Sequence, residues 1–250
     1  TRGDRDRSRP LSELGGKGLF TAELEAGLRD GSIDLAVHSL KDLPTEDAEG
    51  LVLGCFPIRQ DPRDAWVGAP IATLPPGAVV GTGSIRRAAQ IRALRGDLVI
   101  RDIRGNVETR LAKKDAGEFD AIVLAMAGLA RLGIVRDDVI PLSVEEMVPA
   151  VGQGALGVQC RGGDERVLGL LSAIEHADTR ACVEAERAFL LTLGGGCNVP
   201  AGCHVRVVKG GLHGVAMAAD DETGVRRIEA LSDDGPGLGL YLAESLQNAE

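Results

Sequence analysis

Residues 79–131 constrain the fold most. The run "AVVGTGS" reads as a short strand entering a glycine loop, and "SIRRAAQIRAL" then takes a helical period. Ser84 is a good N-cap for that helix, which puts Ile85, Ala88, Ile91 and Leu94 on one side. Next come a strand in "DLVI", a helix capped by Asn106 in "NVETRLAKKD", a strand in "FDAIVLA" and a short helix in "MAGLARLG". Strand and helix alternating in this way predict an α/β chain built on an open, largely parallel sheet.

The flanks extend the pattern. "GLFTAELEAGLRDG" spaces Phe20, Leu24 and Leu28 along one helix face, and Gly31 ends it. "IDLAVHSL" has the look of a buried strand and stops where Pro44 of "KDLP" forbids continuation. The opening stretch, "TRGDRDRSRPLSELGG", has charge and Pro10 but no apolar period, and reads as a mobile loop. Toward the other end, "TRACVEAERAFLLTL" is an amphipathic helix. Three strand-like runs ("CHVRVV", "HGVAMAA", "VRRIEAL") and a helix, "GLYLAESLQ", then predict a small separate α+β unit.

Composition removes several classes of function. A chain of 250 residues with 44% apolar residues affords two or three small domains, with cores built on aliphatic side chains because aromatics are only 2%. A net charge of −9 argues against general nucleic-acid binding, which needs a basic surface. The longest clean apolar run, near Ala121–Ala130, is far short of a membrane span, and no secretory signal opens the sequence. Five scattered cysteines do not make a disulfide framework. A soluble, cytoplasmic, reduced protein is expected, without nucleic-acid or membrane partners.

The chemistry-bearing residues gather where strands give way to loops, the edge at which open α/β sheets bind ligands. His38, Ser39, Lys41 and Asp42 follow one strand; Thr82, Gly83, Ser84, Arg86 and Arg87 a second; Arg104 and Gly105 a third. Two arginines in the first turn of a helix oppose its dipole, a conflict that a bound anion resolves. With Arg101, Arg110 and Arg131 they form a set of cations in an acidic protein, suited to a ligand with several carboxylates. Arg101, Arg104, Arg110 and Arg131 each read as surface when taken alone, Arg86 and Arg87 equally well as a solvated helix start, Lys41–Asp42 as a solvated ion pair in a turn, and His38 as a satisfied strand residue. "GGKGLF", with Lys17 and Phe20, resembles a phosphate-binding turn but lacks the full spacing.

Cys197, in "GGGCNVPAGC", stays open on the residues alone. Zinc at Cys197, Cys203 and His204 lacks a fourth ligand, a disulfide is disfavoured by compartment, and nothing like a nucleophile elbow surrounds the thiol.

Taken together the strings resemble one family, the porphobilinogen deaminases or hydroxymethylbilane synthases. The resemblance runs through "PLSELGGKGLFTAELEAGL", "DLAVHSLKDLPTE", "DPRDAWV", "VVGTGSIRRAAQIRALRGDLVIRDIRGNVETRLAKKDAGEFDAIVLAMAGLARLGI", "PAVGQGALGVQCR" and "AERAFLLTLGGGCNVPAGCHV", in family order. It implies that Cys197 carries a covalent dipyrromethane cofactor through a thioether, leaving Cys203 an ordinary small hydrophobe. On that primer four porphobilinogen units are joined head to tail. Each addition expels ammonia to leave an electrophilic azafulvene, and hydrolysis releases hydroxymethylbilane.

Every pyrrole carries an acetate and a propionate, so a cationic cleft is required. By motif position the resemblance assigns Asp42 as the catalytic carboxylate. Lys41, Ser84, Arg86, Arg87, Arg104 and Gly105 would bind the cofactor together with Asp42 and Cys197. Lys17, Phe20, Ser39, Arg110 and Arg131 would bind substrate, and no metal takes part.

It also implies two lobes like those of periplasmic binding proteins, joined by hinge crossovers near "CFPIRQDPRD" and "VPAVGQG", with a small α+β unit carrying the cysteine loop. Transferred here, lobe 1 is 1–56 with 153–174, lobe 2 is 60–150 and the last domain is 177–250, in a monomer. Relatives open with a further strand and helix whose "GTR-x-S-x-LA-x-x-Q" stretch adds an arginine and a glutamine to the site; the sequence begins after them. "GTGS" stands where "GTSS" is usual, so Gly83 lacks a hydroxyl, and Glu13 replaces a lysine found in some relatives. The alternative is a non-catalytic, two-lobed binding module for an anionic small molecule, which needs neither Asp42 nor Cys197.

Overall fold

The computed structural model of the chain describes residues 21–194, 199–220 and 224–248. Helix α1 (Ala22–Asp30) and strands β1 (Leu35–Ser39) and β2 (Leu51–Cys55) come first. They are followed by β3 (Asp64–Gly68), β4 (Val79–Gly81), α2 (Ile85–Leu94), β5 (Val99–Arg101), α3 (Val107–Asp115), β6 (Ala121–Ala125), α4 (Met126–Arg131) and β7 (Val139–Pro141). Then come β8 (Leu156–Arg161), α5 (Glu165–Leu171) and the long α6 (Ala177–Thr192). The last described elements are β9 (Ala201–Val208), β10 (Gly211–Asp220), β11 (Gly224–Ser232) and α7 (Gly235–Asn248). No helix among the described residues is long and apolar enough to cross a membrane.

The strands form three sheets, ordered β1-β8-β2, β5-β4-β6-β3-β7 and β11-β10-β9. The chain leaves the first sheet after β2, builds the whole second sheet and returns as β8, which enters between β1 and β2 and runs antiparallel to both. Two α/β lobes crossed twice by the backbone result, followed by an α+β unit in which α6 and α7 pack on a three-stranded meander. Local signals predicted from sequence are in place. Gly31 closes α1 with φ 79°, Ser84 caps α2, and the Asn106 side chain accepts from Thr109 N–H at 2.8 Å to cap α3.

Three expectations need correction. The described sheets are not largely parallel: among the described strands of the two lobes, only β4–β5 and β4–β6 run parallel. Those pairs are the ones bridged by helical crossovers. β3 and β7 lie next to the linkers between lobes, and both pair antiparallel, β3 with β6 and β7 with β3. Strand β1 is not buried on both faces; Ala36 and His38 point inward while Leu35 and Val37 are exposed. Helix α2 also turns a different face to the interior. Ala88 and Ile91 are buried as expected, but Ile85 and Leu94 are exposed and Arg86, Arg87 and Gln90 are buried in their stead, because a carboxylate waits for the arginines inside.

A buried polar joint holds the three units together. Glu186 of α6 is fully buried and receives both guanidinium arms of Arg59 from the first crossing, at 2.6 and 3.1 Å. It also accepts the N–H of Gly152 in the second crossing at 2.7 Å and that of Val205 in β9 at 2.8 Å. Burial alone would raise its pKa, but Arg59 and His204 hold it well below the ordinary carboxylate range. Arg187 of the same helix donates to the carbonyls of Pro44 and Thr45 in the first lobe. Arg227 of β11 reaches Gln90 Oε1 on α2 in the second.

Candidate active site

The turn after β1 is set by Leu40, which is buried with Leu43, Phe56, Ala155 and Val183. Anchored there, the short 3₁₀ turn Leu40–Asp42 presents Lys41 and Asp42 to solvent. That solvent lies between the lobes, since charges of both act on the Lys41 ammonium. Desolvation by the surrounding walls is the main reason its pKa falls to about 8. Arg87 and Arg86 push the same way, and Asp42 and Asp64 oppose them.

The opposing face is the first turn of α2. Arg86 and Arg87 are both buried, and both end on Asp64, the first residue of β3, whose side chain is fully enclosed. Arg86 Nη1 donates to Oδ2 at 2.8 Å and to the Val148 carbonyl. Arg87 donates to Oδ1 through Nε at 3.0 Å and Nη2 at 2.6 Å, and to the Val123 carbonyl at 2.9 Å. A fourth donor, Gln153 Nε2 in the second crossing, reaches Oδ1 at 2.9 Å. Burial would raise the pKa of Asp64, yet the two arginines keep it far below the usual carboxylate range. One buried carboxylate thus faces two buried guanidiniums, with Lys41 close by. Among the described residues, the two guanidiniums outnumber the one carboxylate that they bond.

The loop after β5 closes a third side. Gly105 has φ 117°, and a Cβ there would stand 2.6 Å from Thr109 Cγ2, so glycine is required. Its carbonyl accepts from Arg110 Nε at 2.7 Å. Arg110 is half-buried and feels Arg87 and Arg104, while Arg104 is exposed and paired with Asp102 at 2.7 Å. Asp102 also lies against position 83: a Cβ on Gly83 would meet Asp102 Oδ1 at 2.7 Å, so a side chain there needs Asp102 to shift.

Ser84 accepts from the Arg87 N–H at 3.4 Å and donates its own N–H to Thr82 Oγ1 at 3.1 Å, and Ser39 is half-buried at the end of β1. Gly202 of β9 packs on the same place, since a Cβ there would lie 3.0 Å from Arg86 Cδ.

The structure therefore draws Lys41, Asp42, Arg86, Arg87 and Arg110 into one locality, with Arg104, Gly105 and Ser84 on its rim. Arg131 stands apart from this cluster in its contacts. It donates to the Gly154 carbonyl in the second crossing at 2.9 Å, beside a cavity of about 450 Å³ walled by Pro57, Ile58, Leu156 and Ile174. Arg101 does not join: its guanidinium bonds the Glu118 carbonyl and lies over the Phe119 ring. His38 is satisfied by Gln159 Oε1 at 3.2 Å. Cys203 is buried in the last unit's core, where desolvation pushes its thiol pKa up. A larger cavity of about 710 Å³, walled by Arg29, Glu49, Arg161 and Asp164, contains none of the residues singled out from sequence. Lys17, Phe20, Cys197 and the opening stretch read as a mobile loop lie outside the described residues.

Sequence reasoning missed Asp64, Gln153, Arg59 and Glu186. For Asp64 a signal existed, a carboxylate heading the apolar run "DAWVG". For Glu186 it was an acid on the face of α6 that also buries Val183 and Phe189. A charge in such a place demands a partner.

Comparison with known proteins places these features in a family. Residues 1–169 match the family model described as "Porphobilinogen deaminase, dipyromethane cofactor binding domain", and residues 180–248 match "Porphobilinogen deaminase, C-terminal domain". The chain is 48% identical over 252 residues to a porphobilinogen deaminase of Syntrophotalea carbinolica, covering 98% of this chain and 80% of that protein. It is 49% identical over 256 residues to one of Roseiflexus castenholzii, covering 100% of this chain and 84% of that protein. Among solved structures, the periplasmic VFT2 domain of Bordetella pertussis BvgS superposes with a TM-score of 0.38 at 15% identity, covering 69% of this chain and 72% of that one.

Proposed function

The chain belongs to the porphobilinogen deaminase family, and from that premise we propose which of its residues carry the family's reaction. The enzyme is a transferase of tetrapyrrole synthesis that joins porphobilinogen units, with loss of ammonia, on a dipyrromethane cofactor. When bound, that cofactor supplies the pyrrole carbon on which growth begins. The residues present fit such a group. A pyrrole bearing acetate and propionate needs cations fixed in a desolvated wall, and Arg86 and Arg87 bring positive charge in excess of Asp64 to that place. This surplus is the observation that carries the reading.

In it, Arg86, Arg87, Lys41, Ser84, Arg104 and Gly105 hold the cofactor's carboxylates, and Cys197 holds it covalently. In the sequence Cys197 comes five residues before Gly202, which packs on Arg86. Lys17, Phe20, Ser39, Arg110 and Arg131 serve incoming porphobilinogen. Asp42, exposed to the cleft beside Lys41, accepts a pyrrole N–H. When the substrate's C–N bond breaks, the departing nitrogen leaves as ammonia and the ring turns cationic, and the Asp42 carboxylate lies where it stabilises that charge. The cofactor, when bound, would supply the pyrrole carbon that bonds the substrate's methylene and gives up a proton in exchange.

The three sheets correspond in this reading to domains of 1–56 with 153–174, 60–150 and 177–250, in a cytoplasmic monomer without nucleic-acid partners.

Intact mass tests the reading directly. Wild-type protein should exceed its sequence mass by two condensed pyrroles. Cys197→Ser should lose the increment and Cys203→Ser should keep it. Asp42→Asn should hold the increment while turnover falls by roughly 10²–10⁴-fold. An unmodified mass in active wild-type protein, or ordinary ammonia release by Asp42→Asn, refutes it.

A further inference from the structure

Asp64 lies in the "DPRDAWV" string but has no role assigned from sequence, yet it is where both site arginines end. Its side chain is fully enclosed, both oxygens are engaged, and the donors come from two different parts of the chain, α2 and the second crossing. Gln153 is bound on the other side as well: its Nε2 also donates to the Pro62 carbonyl at 2.8 Å, and its own carbonyl accepts from Arg59 Nε at 2.9 Å. A guanidinium is a planar fork, and its aim decides whether it can take a carboxylate with two parallel bonds. Arg86 and Arg87 lie side by side with like charge at the dipole-disfavoured end of a helix. Without an anion behind them they repel each other and turn away from a common target.

We infer that Asp64 is a positioning residue that aims Arg86 and Arg87 at the cofactor's carboxylates, and that Gln153 fixes Asp64 to the inter-lobe crossing so that the aim follows the lobes. The inference rests on the functional reading given above. Asp64 touches neither cofactor nor substrate; it acts through the arginines. It neutralises only one of them, so the pair stays net positive and open to an anion, while Gln153 supplies a neutral donor that holds the carboxylate without cancelling more charge. Asp64, Arg86 and Arg87 also act on Lys41 from the second lobe, and Asp42 from its own turn; Asp64 and Asp42 are the two anions that favour the protonated ammonium.

The test follows primer acquisition by mass. Protein produced without porphobilinogen is mixed with it, and the two-pyrrole increment is timed in wild type, Asp64→Asn and Gln153→Leu, with melting curves taken alongside. Wild type should load. Gln153→Leu should melt within a few degrees of wild type and load on the order of tenfold more slowly. Folded Asp64→Asn should remain mostly unloaded, and the basic limb of its loading-rate profile should lie at lower pH than in wild type, since Lys41 has lost a supporting anion. A purely structural role leaves that limb in place.

If Asp64→Asn does not fold, Gln153→Leu decides alone. Loading at the wild-type rate in a folded variant overturns the inference while leaving the functional reading intact. A wild-type chain that never gains the increment overturns the reading and the inference with it.

Discussion

Two carboxylates are fully enclosed among the described residues, and they are solved differently. Glu186, at the junction of α6 with both crossings, meets one guanidinium, two backbone N–H groups and the His204 imidazole, so its lone pairs are filled and one guanidinium matches its charge. Asp64, at the head of β3, meets two guanidiniums and an amide, and its surroundings stay positive. Both count as buried ion pairs, yet only the first is closed. A matched pair far from solvent holds parts together, whereas an over-supplied one stands ready for an anion from outside. Charge accounting distinguishes them where burial and distance do not.

The largest effect should come from opening the closed pair. Arg59→Met leaves Glu186 buried without its cation and should cost about 3–5 kcal/mol of stability by denaturant titration, while turnover per folded molecule changes little. An unchanged unfolding midpoint would break the contrast.

Next, Arg86→Leu should be cheaper, about 1–2 kcal/mol, because Asp64 keeps Arg87 and Gln153. Primer loading should nevertheless fail. If Arg86→Leu destabilises as much as Arg59→Met, there is no surplus at Asp64.

A smaller effect separates the regions by pH. Glu186 has a depressed folded pKa, so its contribution is present above the unfolded value, near 4.5, and is lost as pH falls through the folded value. Lys41 behaves in the opposite sense. Its folded pKa, about 8, lies below the ordinary lysine value of 10.5, so between them the unfolded chain binds more protons and stability should rise with pH. Melting curves across that window should show a rise that Lys41→Met abolishes. A rise persisting unchanged in Lys41→Met would assign the effect to other groups.

What the sequence disclosed follows the range of the forces involved. The Ser84 and Asn106 caps and the Gly31 stop depend on neighbours a few residues away, and they were legible. The direction in which β3 and β8 pair was not, because it depends on where the chain crosses between lobes. The buried face of α2 was misread for the same reason: Ile85 and Leu94 look like core, but Asp64, more than twenty residues upstream, outweighs them by drawing Arg86 and Arg87 inward. Lys41, Asp42 and the arginines were found through their loops, while Asp64 and Gln153, which fix two of those arginines, are distant partners that only the fold brings together.

The return of β8 between β1 and β2 has a consequence for a chain made from one end. Among the described strands, β1 and β2 have no partner in the first sheet until residues 156–161 exist, about a hundred residues after β2 has been completed. At roughly 5–20 residues per second, that is an interval of some 5–20 seconds at the ribosome. The second lobe, which is continuous in sequence, can form during that wait. The stretch through β2, made before the second lobe, is then among the last to fold, and its apolar edges are where a chaperone has time to act.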